Sequence, residues 1–480
     1  MTLSEREETS SGVQDNLRRV TELLHKHELA ESLVHRQQGP RQELVENLVH
    51  KLHFVELQKL LDALHPADIA YILETLPLEQ RLIVWDLVKA EREGEILLEV
   101  SDAVRETLIA HMDERELVAA TEQLDTDEIA DLAPDLPREV IQDVFRSLSP
   151  EEREQLRSAM SYPEGTVGAL MDFDMISIRD DVTVEVVLRY LRRLDEMPEL
   201  TDQLFVVDRA GRLEGLLPVN KLLVTDPETA VATVMRHEFV KFHPDENAQD
   251  AAQAFERYDL VSAPVAGGDG RLIGRVTVDA VMDYIREETD NDMLSAGGLR
   301  EDEDLFASVW KSVRNRWTWL AVNLVTAFIA SRVIGVFEDS IAKLVALAAL
   351  MPIVAGISGN SGNQTITMIV RALALGQISA VNARKLFAKE IGVSALNGLI
   401  WGSVVGLFAF LIYHNWQLGA VMTGAMVLAL MLAAVMGVTI PLVMQKLGRD
   451  PALNSSVLIT AITDSGGFFI FLGLATVFLV

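Results

Sequence analysis

From Trp317 to the final Val480 the sequence breaks into five apolar stretches, near 317–337, 344–370, 391–413, 418–445 and 451–480. Each is long enough for the ~20 residues that a helix needs to cross about 30 Å of hydrocarbon, so this part is predicted to be a bundle of five spanning helices. It holds eight basic and five acidic residues out of 42 and 71, leaving residues 1–316 with 34 basic against 66 acidic and a net charge of −32. An apolar region and a polyanionic one therefore meet near residue 316, which is how a chain of net charge −29 has a mean hydropathy of +0.20. A surface this acidic repels nucleic acid and attracts cations. With no cysteine, the chain has no disulfide scaffold, thiolate metal site or cysteine nucleophile.

The first 30 residues contain no apolar core of signal-peptide type, so the acidic part is expected on the cytoplasmic side. Loop charges agree. Lys311, Arg314 and Arg316 precede the first stretch, Arg371, Arg384, Lys385 and Lys389 lie between the second and third, and Lys446 and Arg449 between the fourth and fifth. In the alternate loops Arg332 and Lys343 are offset by Glu338 and Asp339, or there is no charge at all. Positive-inside counting predicts a multi-pass inner-membrane protein with its N-terminus cytoplasmic and its C-terminus outside.

Polar residues inside these stretches need a reason, because unsatisfied polar groups are costly in hydrocarbon. Asp464 is the one acidic residue between Pro451 and Val480, and no basic residue follows Arg449. A central aspartate costs roughly 2.5–3.5 kcal/mol on insertion scales, so its carboxylate is expected to face water or a cation. The alternative is a neutral Asp hydrogen-bonded within the bundle. In the second stretch, MPIVAGISGNSGNQ, residues Pro352, Gly356, Gly359, Asn360, Gly362, Asn363 and Gln364 interrupt an apolar run. Close packing by small residues accounts for the glycines, but not for the amides, which suggest a broken helix lining a cavity. Gly398, Gly402 and Gly406 read as helix packing. A hydrated Mg²⁺ suits such a site, because this ion keeps several waters and is held through one or two carboxylates.

The soluble part repeats itself. DRAGRLEGLLPVNKLL from Asp208 aligns with GGDGRLIGRVTVDAVM from Gly267, and the matching GRL triplets begin at Gly211 and Gly270. Each copy reads as strand, glycine turn, strand and amphipathic helix, and the pair looks like tandem cystathionine-β-synthase-type (CBS) domains. Such pairs often bind adenine nucleotides such as ATP through an acid on the ribose. The positions for it are Lys221 and Ala280 here, so the resemblance leaves ATP open. Upstream, ADIAYILETLP at 67–77 matches DEIADLAPDLP at 127–137, a weaker repeat that predicts a helical superhelix. Its acidic face includes Glu95, Asp113, Asp125, Asp127, Glu128 and Asp131. Downstream, residues 279–316 read as a carboxylate-rimmed helix ended by Gly297 and Gly298 and then an approach to the membrane.

GISGNSGNQTITMIVRALALG in the second stretch, DPALNSSVLITAITDSGG leading into the fifth, the CBS pair and the acidic helical region together resemble the MgtE family of bacterial magnesium channels. The resemblance runs through nearly the whole chain in the family's domain order. It implies a multidomain homodimer: an α-helical superhelix (1–160), an α/β tandem CBS pair (161–279), a connecting plug helix and linker (280–316, the plug at 280–296) and a five-helix transmembrane domain (317–480). It implies that Asp464 binds hydrated Mg²⁺ in the pore beside Gly359, Asn360 and Pro352. The Mg²⁺-sensing carboxylates carried over by local motif are Glu95, Asp127, Asp131, Asp259, Glu288 and Asp292. Ala280 and Asn291 stand at two family acidic positions, so the sensing set is expected to be rearranged.

On this reading the chain is a Mg²⁺ channel for uptake, closed when cytosolic Mg²⁺ bridges carboxylates that otherwise repel one another. An ion-coupled carrier of Mg²⁺, Mn²⁺ or Co²⁺ and a non-conducting membrane sensor are the competing readings. An enzyme is disfavoured, because no nucleophile-base set, phosphate loop or HExxH pattern appears.

Overall fold

The computed structural model describes residues 12–27, 54–194, 196–299, 304–374, 378, 380–447 and 455–480. The DPALN motif start and Arg449 lie outside them. The chain divides into two units, Met1–Glu288 with Asp304–Ala307, and Thr289–Glu303 with Ser308–Val480.

The first unit opens with helices α1 (12–27) and α2 (54–61). Eight short helices follow: α3 (Pro66–Thr75), α4 (Leu78–Trp85), α5 (Ala90–Glu99), α6 (Asp102–Ile109), α7 (Glu114–Thr121), α8 (Thr126–Leu132), α9 (Arg138–Ser147) and α10 (Pro150–Ala159). Their N-cap residues are His65, Pro77, Lys89, Ser101, Asp113, Asp125, Pro137 and Ser149, evenly spaced along the chain. Reciprocal capping boxes at Asp113/Glu116, Asp125/Glu128 and Ser149/Glu152 fix three of these starts. A buried aliphatic side chain keeps the same spacing, at Ile72, Val84, Ile96, Leu108, Ala120, Leu132, Val144 and Leu156, each at most 2% exposed. Burying each larger one contributes roughly 1.5–3 kcal/mol. The superhelix is as expected, but its repeating unit is a single short helix with its cap. The two segments matched in the sequence stand five such units apart, which aligns α3 with α8.

Arginines tie successive helices together. The Nε of Arg81, Arg105 and Arg153 donates to the carbonyl eight residues back, at Leu73 (2.9 Å), Leu97 (2.8 Å) and Phe145 (2.7 Å). Arg105 and Arg153 thereby satisfy a carbonyl that the end of the preceding helix leaves open, and Arg81 adds a second donor to Leu73 O, which also accepts from Leu76 N at 3.4 Å.

The CBS pair follows. Strands β1 (Ser177–Arg179), β2 (Gln203–Val207) and β3 (Leu213–Pro218) form one sheet in that order, β1 parallel and β3 antiparallel to β2. Strands β4 (Ser262–Ala266) and β5 (Leu272–Thr277) form an antiparallel second sheet. Helices α11 (Val184–Leu191), α12 (Val219–Val224), α13 (Val231–Val234) and α14 (Ala248–Tyr258) pack around them. The turn glycines Gly211 (φ +79°) and Gly270 (φ +80°) adopt the left-handed conformation that a Cβ disfavours. The two turns pair reciprocally: Leu213 N donates to Gly270 O (3.0 Å) and Leu272 N to Gly211 O (3.1 Å). Helix α15 (Val278–Ala296) continues from β5 and covers the expected plug helix.

The second unit contains α16 (Val309–Val336), α17 (Glu338–Lys343), α18 (Ala346–Ala374), α19 (Ala380–Tyr413), α20 (Trp416–Lys446) and α21 (Ser455–Phe478). Helix α20 lies at the centre against α18, α19 and α21, and α16 packs on α21. Among the described residues four helices, α16, α19, α20 and α21, are long and apolar enough to cross a membrane, against the five expected. Helix α18 is 29 residues long but carries Asn360, Asn363, Gln364 and Arg371, and so falls short in apolarity rather than in length. It is also unbroken. Pro352 sits inside it, and the backbone stays helical through Gly356, Gly359 and Gly362. Gly362 serves packing: a Cβ there would lie 2.6 Å from Ile459 Cγ1 of α21, whereas nothing lies within 4 Å of one on Gly356. Packing also explains Gly398, Gly402 and Gly406, whose Cβ positions would meet the α20 backbone at 2.5–3.0 Å.

Candidate ion pathway and carboxylate cluster

On α18 the polarity is inverted relative to a lipid-facing helix. Met351, Val354, Ala355, Ser358, Gly362 and Ile366 are buried, whereas Pro352, Gly356, Asn360 and Gln364, spaced to share one face, are exposed. A face presenting two amides and a proline cannot rest against acyl chains without cost. Contacts with α21 place it. A Cβ on Gly359 would lie 3.6 Å from Thr463 Oγ1, and one on Gly467 would lie 3.5 Å from Ser358 Oγ. Asn360 and Asp464 are each the next residue along from the Gly359–Thr463 contact. The hydroxyls of Ser358 and Thr463 are turned back on their own helices, donating to Val354 O and Ile459 O at 2.8 Å.

Asp464 is half-buried and, among the described residues, forms no ion pair or hydrogen bond. The side chain of Thr460, one turn earlier on the same face, is exposed. The neighbouring Ser465 Oγ is buried without a partner among the described residues. No arginine among them neutralises the Asp464 carboxylate, so its charge remains available to a cation.

A second group of carboxylates lies in the first unit around α8. Burial pushes Asp127 up to about 8, and the carboxylate of Asp172 adds to the shift. Asp131, one turn on, is raised to about 6 by partial burial, with Arg105 opposing and Glu287 reinforcing, although one side of it stays open to water. Glu128 is raised by burial and by the charges of Asp125, Glu95 and Asp172, and Asp125 by burial and Asp174. On α15, Asp283 and Glu287 are raised by partial burial in the same way. Asp172 is held by Arg275, whose Nε donates to Asp172 Oδ2 at 2.7 Å and whose Nη2 donates to Glu199 O at 2.9 Å.

Of the expected sensing residues, Glu95, Asp127 and Asp131 thus share one neighbourhood. Asp259 caps the C-terminal end of α14 at φ +49°, exposed, and Glu288 and Asp292 are exposed on α15. Asp172, Asp174, Asp283 and Glu287 are not among the expected set. Asp283 and Glu287 rim the plug helix and are within reach of a sequence reading, whereas nothing in DFD at 172–174 signals its approach to α8. Among the described residues, no three His, Asp or Glu side chains are arranged to hold a bare metal ion. The crowding with few cations fits an ion that keeps its water, the habit of Mg²⁺.

An acidic helical array with paired CBS domains, followed by apolar helices carrying one unneutralised aspartate, defines a membrane transporter of cations. Comparison with known proteins narrows this. The "Divalent cation transporter" domain of MgtE matches residues 351–474, the MgtE intracellular N domain 64–165, and the CBS domain 167–225 and 231–287. The chain is similar to the magnesium transporter MgtE of Thermus thermophilus, 30% identical over 431 residues covering 88% of this chain and 95% of that protein. It is 25% identical to that of Bacillus subtilis, over 88% of this chain and 94% of that one. Among solved structures, the cytosolic domain of the Mg²⁺ channel MgtE in complex with ATP is 30% identical (TM-score 0.45), covering 50% of this chain and 98% of that one. The chain belongs to the MgtE family of magnesium transporters, with their helical N domain, CBS pair and membrane helices.

Proposed function

We propose that the protein is a Mg²⁺-selective channel for magnesium uptake that closes as cytosolic Mg²⁺ rises. The observation that carries this is the exposed amide face of α18 beside the unpaired Asp464 of α21. That face needs water or a second copy of the chain against it, so the working form is a homodimer with the hydrated ion's path along α18 and α21. Asp464 holds the ion by charge, and Asn360, Gly359 and Pro352 line the path. With α18 crossing the bilayer beside the four apolar helices, the N-terminus lies in the cytoplasm of the inner membrane and the C-terminus outside.

Regulation falls to the acidic cytosolic part. Asp127, Asp131 and Glu95, with Glu288 and Asp292 on the plug helix and Asp259 at the end of α14, would hold hydrated Mg²⁺, which supplies positive charge. Empty of cations, these carboxylates repel one another and favour a splayed, open state, so a ligand preferring the closed state shifts the balance. ATP has no ribose-binding acid at Lys221 or Ala280, and the reading does not require it. The division of the chain at residues 160, 279 and 316 follows the same roles.

Mg²⁺ entry into vesicles reconstituted with the unmodified chain and with Asp464→Ala tests this. Flux lost in the variant and indifferent to an imposed proton gradient is expected. Flux driven by that gradient means a coupled carrier, and no flux from the unmodified chain means a sensor.

A further inference from the structure

Arg81 has no solvent exposure at all. Like Arg105 and Arg153 it sits one turn past an N-cap and hooks the preceding helix through Nε. The other two spend their outer nitrogens inside the array, Arg105 on Leu98 O and Val100 O (both 3.3 Å) and Arg153 on Leu148 O (2.9 Å). The outer edge of Arg81 is met from elsewhere in the sequence. Its Nη1 and Nη2 donate to Asp304 Oδ2 (2.8 Å) and Oδ1 (3.3 Å), a two-pronged pair with a side chain 7% exposed.

Asp304 belongs to the linker between α15 and α16. It organises a short turn, accepting from Phe306 N at Oδ1 (2.9 Å) and from Ala307 N at its carbonyl (3.1 Å). Residues Asp304–Ala307 are accordingly part of the first unit, although the chain on either side belongs to the second. The next residue, Ser308, caps α16 by accepting from Lys311 N. A guanidinium without solvent needs its counter-charge, because removing one partner of a buried pair leaves the other stranded. The linker segment is therefore held to the helical array by more than contact.

We propose that Asp304–Ala307 is a strap, latched to Arg81, that transmits displacement of the N-terminal helical array directly to the first membrane helix. This rests on the reading that the cytosolic part closes the pore. The short connection from Asp304 to the α16 cap at Ser308 leaves little slack, so movement of the array is felt at α16 as well as along α15.

The test uses the full chain in vesicles, with Mg²⁺ flux read against Mg²⁺ on the cytosolic side and amide exchange read at residues 304–312. Asp304→Asn removes the counter-charge. The double variant Arg81→Met with Asp304→Leu removes the pair while keeping the site filled, and so covers the case in which Asp304→Asn disturbs the array. Leu305→Ala is the control, since Leu305 is 88% exposed. Expected are faster exchange at Phe306 and Ala307 and a half-inhibiting Mg²⁺ concentration raised about fivefold or more, the scale of an ordinary coupling between sites, with Leu305→Ala unchanged. Released amides with an unchanged half-inhibiting concentration in both variants would overturn the strap. An unmodified chain indifferent to cytosolic Mg²⁺ would instead overturn the gating reading, and the strap with it.

Discussion

Gly406 of α19 and Gly419 of α20 face each other so closely that a methyl group on either would lie 2.5 Å from the other's carbonyl oxygen. One turn away, Thr423 Oγ1 donates across the same seam to Gly402 O at 3.0 Å. In lipid, where apolar surface gives helices no reason to associate, such approach of backbones and a shared hydrogen bond supply the adhesion.

Gly406→Val is therefore expected to lower the thermal stability of the detergent-solubilised protein by about 1–3 kcal/mol or more, the scale of an overpacked core. Gly392→Ala on the same helix, where nothing lies within 4 Å of the new Cβ, is expected to be neutral or slightly stabilising through helix propensity. Equal losses for both would remove the seam as the cause.

Asp464→Asn keeps size and shape while discarding charge. Interactions with a charged group are worth about 1.5–3 kcal/mol, so Mg²⁺ flux is expected to fall by roughly 10- to 100-fold. Asp464→Glu, which retains the charge at a shifted position, is expected to recover part of it. Flux in Asp464→Asn equal to that of the unmodified chain would show that ions travel elsewhere.

The cluster around α8 makes a prediction about pH. Asp127 is raised from an ordinary 3.8 to about 8 and Asp131 to about 6. A carboxyl raised in the folded state stabilises the fold fully below its unfolded value and ceases to do so as pH climbs through the folded one. Divalent cations compete with those protons. Mg²⁺ binding to the full-length protein is expected to tighten between about pH 6 and 8 and to release protons there, read by calorimetry in two buffers of different ionisation heat. Asp127→Asn is expected to reduce the release. Binding independent of pH would detach these carboxylates from Mg²⁺.

Arg275 is 4% exposed and joins Asp172 to the carbonyl of Glu199. Arg275→Ala leaves Asp172 beside Asp127 without its cation, and a loss of about 3–5 kcal/mol in the stability of the first unit is expected from denaturant unfolding. A loss below about 1 kcal/mol would mean that water already screens the pair.

These side chains also show where the sequence is readable. The CBS repeat is legible because the turns at Gly211 and Gly270 demand glycine, and identity survives where geometry allows one residue. The helical array hides its spacing because what recurs there is burial: Ile72, Ala120 and Leu156 do the same work with different side chains. Asp464 stands out because a charge in an apolar run costs energy. Helix α18 misleads because glycine and asparagine suggest unwinding in isolation, whereas the helix runs on through them and Gly362 admits Ile459 of α21. Arg81 and Asp304 carry no local sign of each other, since the partnership exists only after folding.

An array whose caps recur at one fixed interval is quantised in length. Deleting two successive intervals would return each remaining helix to a neighbour of its own kind. Deleting a single one would put odd helices where even ones belong and misalign the arginine hooks, which fall only on alternate helices. The array is a ruler with coarse divisions, and the acids of α8 sit at a fixed mark on it.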